Sequence, residues 1–152
     1  MSEEHHPMEN IGNLPFSAEW RYRPYDITTV LQPGEVRAIC DLRRHGFVLW
    51  GGVIHSNPLL SCTIGLETGT ELYQSSFTAN DLILANLVAP TPSGWWCSRY
   101  DVLNAVFSVM FTPAQWWPFY RRLNVTLTNP TAAPIQVFRA SILCIEFLEK
   151  VV

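Results

Sequence analysis

The sequence predicts an all-β protein: a two-sheet antiparallel β-sandwich of jelly-roll or related Greek-key topology, with one short helix and an extended N-terminal arm. Three observations lead there. Short segments that are β-branched, or that alternate apolar with polar residues, recur along most of the 152 residues and are separated by Pro, Gly and Asn turns. Only one stretch has helical spacing, and strands never alternate with helices as a parallel sheet requires. The length fits one domain, so the division is an arm over residues 1–26 and a sandwich over 27–152.

The arm begins acidic and polar and continues as LPFSAEWRYRPYD, with no helical or alternating period. Its spaced aromatics, Phe16, Trp20, Tyr22 and Tyr25, suit docking along its own domain or a neighbouring subunit. Strands begin with ITTVLQ, which ends at the turn pair Pro33-Gly34. EVRAICDL follows, with Val36, Ala38, Cys40 and Leu42 expected on one face and Glu35, Arg37, Ile39 and Asp41 on the other. GFVLWGGVIH continues, with Gly51-Gly52 as an expected bulge or bend. LSCTIGLET runs to the turn at Gly69. In FTANDLILANLVAP, Thr78 and Asp81 have capping-box spacing and Pro90 stops the run, which predicts a helix of two to three turns. A buried strand through LILANLV is the rival reading.

Beyond the loop APTPSGWW, RYDVLNAVFSVMF reads as one strand with Leu103, Ala105, Phe107, Val109 and Phe111 on a common face. RLNVTLTN then alternates cleanly, with Leu123, Val125 and Leu127 inward. IQVFRASILCIEFL is the final strand, expected to pair with it as an antiparallel hairpin across NPTAAP. Two tryptophan pairs, Trp95-Trp96 and Trp116-Trp117, flank the strand near 100–111 from opposite ends. A dozen extended residues would hold them about 40 Å apart, in separate sites. Neighbouring strand residues face opposite ways, so each pair is expected to send one ring inward and one outward.

Composition directs attention to contact surfaces. Hydrophobic residues make up 48% of the chain and charged ones 15%, against about 25% charged in an ordinary soluble domain. Of ten basic residues nine are arginine, and Lys150 alone is lysine. Arginine accompanies Trp, Tyr and Phe where proteins touch, whereas lysine keeps free surfaces hydrated. The net charge of −3 supplies no broad basic field, so nucleic acid is not expected as the main partner. No apolar run is long enough to span a membrane, and the acidic, polar N-terminal stretch lacks the pattern of a signal peptide. The expectation is assembly in a cytoplasm.

Chemistry-bearing patterns are sparse. There is no G-x-S-x-G elbow, no phosphate-binding glycine loop and no CxxC pair. His5 and His6 lie in the polar tail, while His45 and His55 bracket one strand, His55 at a loop entry. Cys40, Cys62, Cys97 and Cys144 sit far apart in apolar surroundings and are read as buried, reduced thiols. No catalytic residue, metal site or cofactor is expected. The candidate residues are instead interfacial: Trp20, Tyr22, Tyr25, Arg43, Arg44, Trp95, Trp96, Trp116, Trp117, Phe119, Tyr120, Arg121 and Arg122. Trp, Tyr and Arg grouped in this way are favoured at the energetic centres of protein contacts.

The ending FTPAQWWPFYRRLNVTLTNPTAAPIQVFRASILCIEF resembles the closing strands of small jelly-roll structural proteins of tailed-phage virions, those that decorate heads or build tail and fibre attachments. The proline-rich entry, the RLNVTLTNP strand and the last strand near the terminus carry the resemblance. It implies a non-enzymatic virion protein present in repeated copies, self-associating as trimers or rings and docking on other virion proteins. A carbohydrate-binding or receptor-recognition sandwich is the alternative, because exposed tryptophans also stack on sugar rings.

Overall fold

The computed structural model describes residues 18–149. Within them the order is β1 (Ala18–Leu31), β2 (Val36–Leu42), β3 (Gly46–His55), β4 (Ser61–Thr68), β5 (Glu71–Thr78), α1 (Ala79–Leu84), β6 (Trp95–Trp96), β7 (Tyr100–Asp101), β8 (Val106–Phe111), β9 (Trp117–Phe119), β10 (Arg122–Thr128) and β11 (Ile135–Glu149). The strands form two antiparallel sheets. Sheet A runs β1-β11-β3-β8-β6, with β7 joined to β8 and β9 to β3; sheet B runs β2-β10-β4-β5. The expected all-β sandwich with one short helix is thus the observed architecture. Three of the eleven strands, β6, β7 and β9, are only two or three residues long.

The main core lies between the sheets. Leu123, Val125 and Leu127 of β10 face inward fully buried, opposite Val137, Ala140, Ile142 and Cys144 of β11. These two strands therefore meet face to face and do not form the expected hairpin: β10 pairs with β2 and β4, and β11 with β1 and β3. Buried Asn129 holds the crossing between layers. Its Nδ2 donates to the carbonyls of Leu31 at 3.0 Å and Ala133 at 2.8 Å, while its Oδ1 accepts from Thr131 N at 2.9 Å. An amide so bonded orders a connection that would otherwise bury unpaired backbone groups.

β1 begins at Ala18, so residues 18–26 of the expected arm pair in register with β11, from Ala18↔Glu149 to Asp26↔Ser141. Phe16 and the rest of residues 1–17 lie outside the described residues.

A bulge corrects the expected faces of β2, and the irregularity expected at Gly51-Gly52 in β3 falls earlier. Cys40 opposes Val125 and Ala38 opposes Thr126, which leaves Ile39 as an extra residue in β2. The alternation shifts there: Ile39 and Cys40 are both buried, and Val36 and Ala38 are exposed. In β3 the extra residue is Leu49, between the pairs Val48↔Cys144 and Trp50↔Leu143. Gly51 and Gly52, just beyond, answer to close packing. A Cβ on Gly51 would stand 2.2 Å from the Phe111 ring, and one on Gly52 2.5 Å from the Met110 sulfur.

The long strand expected near 100–111 is folded in two. Asp101 Oδ1 accepts from Asn104 N at 3.0 Å, Asn104 Nδ2 donates to Asp101 Oδ2 at 2.8 Å, and Ala105 takes a φ of 52°. This turn reverses the chain so that β7 pairs back onto β8. Leu103, expected inward, is at the exposed tip.

The helix is capped as its sequence predicts. Thr78 Oγ1 accepts from Asp81 N at 3.0 Å, and Asp81 Oδ2 accepts from Thr78 N at 3.0 Å. It stops before Pro90, since Asn86 turns left-handed at φ 58° and the amides of Asn86 and Leu87 return to the carbonyls of Ile83 and Leu82. All four cysteines are free and buried. Burial pushes the thiols of Cys40, Cys62 and Cys144 up to about 11, 12 and 12. His55, expected at a loop entry, is fully buried between the β-ladder neighbours Phe107 and Val137.

Candidate functional site

Sheet A is apolar on both faces. Ile142 and Cys144 point into the main core, so Ile145 and Phe147, at the opposite parity on β11, point outward. They are nonetheless 0% and 6% exposed. Trp20 of β1, Phe47 and Leu49 of β3, and Trp116 from the β8–β9 connection cover them as a second small core. Phe47 sits 6.2 Å from Trp116 and 6.1 Å from Phe147 between ring centroids, and Trp20 meets Tyr22 edge-on at 5.5 Å. The apolar surface extends past this cluster. Trp50 and Ile54 remain 44% and 38% exposed. With Gly52, Met110, Arg139 and Ser141 they line a shallow depression of about 230 Å³.

The arginines gather at the end of the sheet where this cluster lies. Glu146 of β11 stands directly opposite Arg21, and its carboxylate is fully buried. Arg21 Nε donates to Oε1, Arg23 Nη1 lies 3.3 Å from the same oxygen, and Arg44 Nε lies 3.5 Å from Oε2. That last contact has ion-pair distance without hydrogen-bond geometry, which leaves Oε2 bonded to no donor. A buried carboxylate is tolerated only when paired; here three half-exposed guanidiniums enclose it.

Beside this cluster is a hollow of about 310 Å³ lined by Arg43, Arg44, His45, Tyr120, Arg121 and Phe147. Backbone bonds fix its walls. Phe147 N donates to His45 O at 2.8 Å, tying the β2–β3 turn to β11. The amides of Tyr120 and Arg121 both donate to Glu67 O, at 2.9 and 3.1 Å. Among the described residues, no carboxylate lies within ion-pair distance of Arg43 or Arg121. The hollow therefore offers guanidinium groups, a phenol and an aromatic edge, a set suited to carboxylates on a protein surface.

The two tryptophan pairs do converge, contrary to the separation expected from one straight strand. Because β8 returns alongside β6, Trp95 and Trp117 lie 5.8 Å apart between centroids, and Trp117 stacks on Phe111 at 6.0 Å and 19°. The inward and outward split holds within each pair. Trp95 is buried, whereas Trp96 is half-buried with its Nε1 donating to Thr112 Oγ1 at 2.9 Å. Trp117 joins the main core and Trp116 the outer cluster.

The remaining candidates are engaged within the domain. Tyr25 packs on the main core, and burial, more than Cys40 beside it, raises its phenol above the usual value. Phe119 is 0% exposed and so has no surface to give a partner. Arg122 grips Asp41 through Nε–Oδ1 at 2.8 Å and Nη2–Oδ2 at 3.1 Å, lowering that carboxyl's pKa, and approaches Glu67 at 3.9 Å, so it joins β10 to β2 and β4.

Sequence reading overlooked Arg21, Arg23, Glu146, Phe47, Trp50 and Phe147. One signal was present: ILCIEFL is apolar at both parities, the pattern of a strand covered on both faces. No family model matches the chain, and no curated protein matches it in sequence.

Proposed function

We propose that this chain is a non-enzymatic structural subunit of a virion that self-associates and docks on other virion proteins through the outer face of sheet A and its arginine-lined end. The observation that carries the assembly reading is the two-sided apolarity of sheet A, with Trp50, Ile54 and Tyr22 left part-exposed beyond the Ile145–Phe147 cluster. A sheet meant to face water on one side alternates apolar with polar residues. Arg43 and Arg121, at the rim, would set register by meeting carboxylates of the neighbour. The virion setting is supported by the C-terminal resemblance.

The test is association of the full chain with both rim charges reversed. The variant Arg43→Glu with Arg121→Glu should keep its far-UV circular dichroism and sediment as a smaller species than the parent. Unchanged sedimentation would remove the rim from the interface.

A second reading, a glycan-binding module, is favoured by one feature: Trp117 and Tyr73 flank a groove that also carries the Ser75 and Ser93 hydroxyls. It calls for tryptophan fluorescence changes on glycan addition to a monomer.

A further inference from the structure

The strand edges of the sandwich are not equally protected. β1 carries Arg21, Arg23, Pro24 and Asp26 and an irregularity between Ile27 and Thr29; β2 has a bulge together with Arg37 and Asp41. β6 is only two residues long. Charges, proline, bulges and shortness are the usual means by which edges avoid pairing with other chains. Past its first residue, Glu71, β5 has none of them. Its eight residues run in unbroken register with β4, from Ser61↔Thr78 to Thr68↔Glu71, and Leu72 to Thr78 contain neither a charge nor a proline. Among the described residues its other side pairs with no strand, and residues 71–76 are exposed. In an antiparallel ladder every second residue turns its N–H and C=O away from its partner, so this edge presents a row of unused backbone groups.

A groove of about 320 Å³ opens beside that edge, where Tyr73, Ser75 and Phe77 of β5 face Trp95 and Trp117 of the other sheet. Strand addition needs both parts: main-chain groups for pairing and a pocket for alternate side chains.

We infer that β5 is a strand-addition site and that its occupant is β5 of a second copy, paired antiparallel about a two-fold axis at Ser75. Such an axis stands perpendicular to the sheet, so residues from the same face must oppose each other. With Ser75 on the axis, Tyr73 meets Phe77 of the second copy at each mouth of the groove. Leu72 then meets Thr78, Gln74 meets Ser76, and Glu71 falls beyond the paired stretch, so no like charges meet. Centring on Gln74 instead would set the Glu71 carboxylate against Phe77. The four-stranded sheet of each copy becomes half of an eight-stranded one.

The test is oxidative cross-linking of the full chain carrying Ser75→Cys. The native cysteines are buried, and opposed residues at the axis would stand about 4.5–5.5 Å apart between Cα atoms, within disulfide range. The expected result is a covalent dimer on a non-reducing gel. Leu72→Cys, which the register keeps roughly 20 Å from its own copy at 3.3 Å per residue, should remain monomeric. Both variants should match the parent in circular dichroism. No cross-link from a folded Ser75→Cys variant, or equal cross-linking from Leu72→Cys, would overturn the inference, as would glycan-induced fluorescence changes in an uncross-linked protein. Arg43→Glu with Arg121→Glu should leave this cross-link intact, which keeps it separable from the sheet A reading.

Discussion

Trp95 of β6 and Trp117 of β9 lie 5.8 Å apart between ring centroids, and both pack on the Phe111 ring. Their placement makes them structural aromatics first. Trp95→Ala should lower stability by about 3–5 kcal/mol, the usual cost of emptying a large aromatic site, as read by urea denaturation. A loss under 1 kcal/mol would mean that the groove side is not packed as described.

Glu146 should behave as the keystone of its three arginines. Glu146→Gln leaves Arg21, Arg23 and Arg44 facing one another without a countercharge. The guanidiniums are half-exposed, so screening keeps the expected loss to about 1–3 kcal/mol. The loss should shrink at high salt, which denaturation at two ionic strengths would show. A salt-independent loss would point to packing alone.

His55 should make stability depend on acid. Burial lowers its pKa from 6.5 to about 4, outweighing a smaller opposing effect of the Val53 backbone. Above its unfolded value both states are neutral and the group contributes nothing. As pH falls from about 6.5 toward 4 the unfolded chain takes up a proton that the folded one resists, so stability drops by up to about 3 kcal/mol. His55→Leu should flatten that part of the stability-versus-pH curve. An unchanged slope would show that other groups carry it.

Gly46 should tolerate no side chain. A Cβ there would fall 1.8 Å from the Ile145 carbonyl oxygen, where the β3–β11 ladder begins at Gly46↔Glu146. Gly46→Ala is expected to yield little folded protein, whereas Gly65→Ala, whose Cβ would find its nearest neighbour at 3.5 Å, should fold. Equal soluble yields would contradict the close approach.

Local signals in the sequence were the most legible. The alternation of β10, the Thr78–Asp81 capping box and the scarcity of helical spacing each appear in the structure as read. The failures share a cause, since each needed knowledge of a partner strand. Whether β10 and β11 lie side by side or face to face depends on which sheet each joins, and both arrangements present the same alternation. The β2 and β3 bulges are set by register against β10 and β11. The Asp101–Asn104 turn was readable as an Asx pattern, but the apolar residues Val102 and Leu103 disguised it. At the candidate site the aromatic and arginine residues could be named from sequence. Their division between core, outer face and arginine hollow could not, because Glu146 and Phe147 are brought to Arg21, Arg44 and Phe47 only by long-range pairing.

The central claim, that the outer face of sheet A is an assembly surface, is tested most directly by the solution mass of the full chain and of Trp50→Glu, measured by light scattering over a concentration series. Trp50 is exposed on that face, and β5 belongs to the other sheet. The expected result is a parent that grows beyond a dimer with concentration, and a folded variant that stops at the dimer joined through β5. Parent and variant of identical mass at every concentration would contradict the claim.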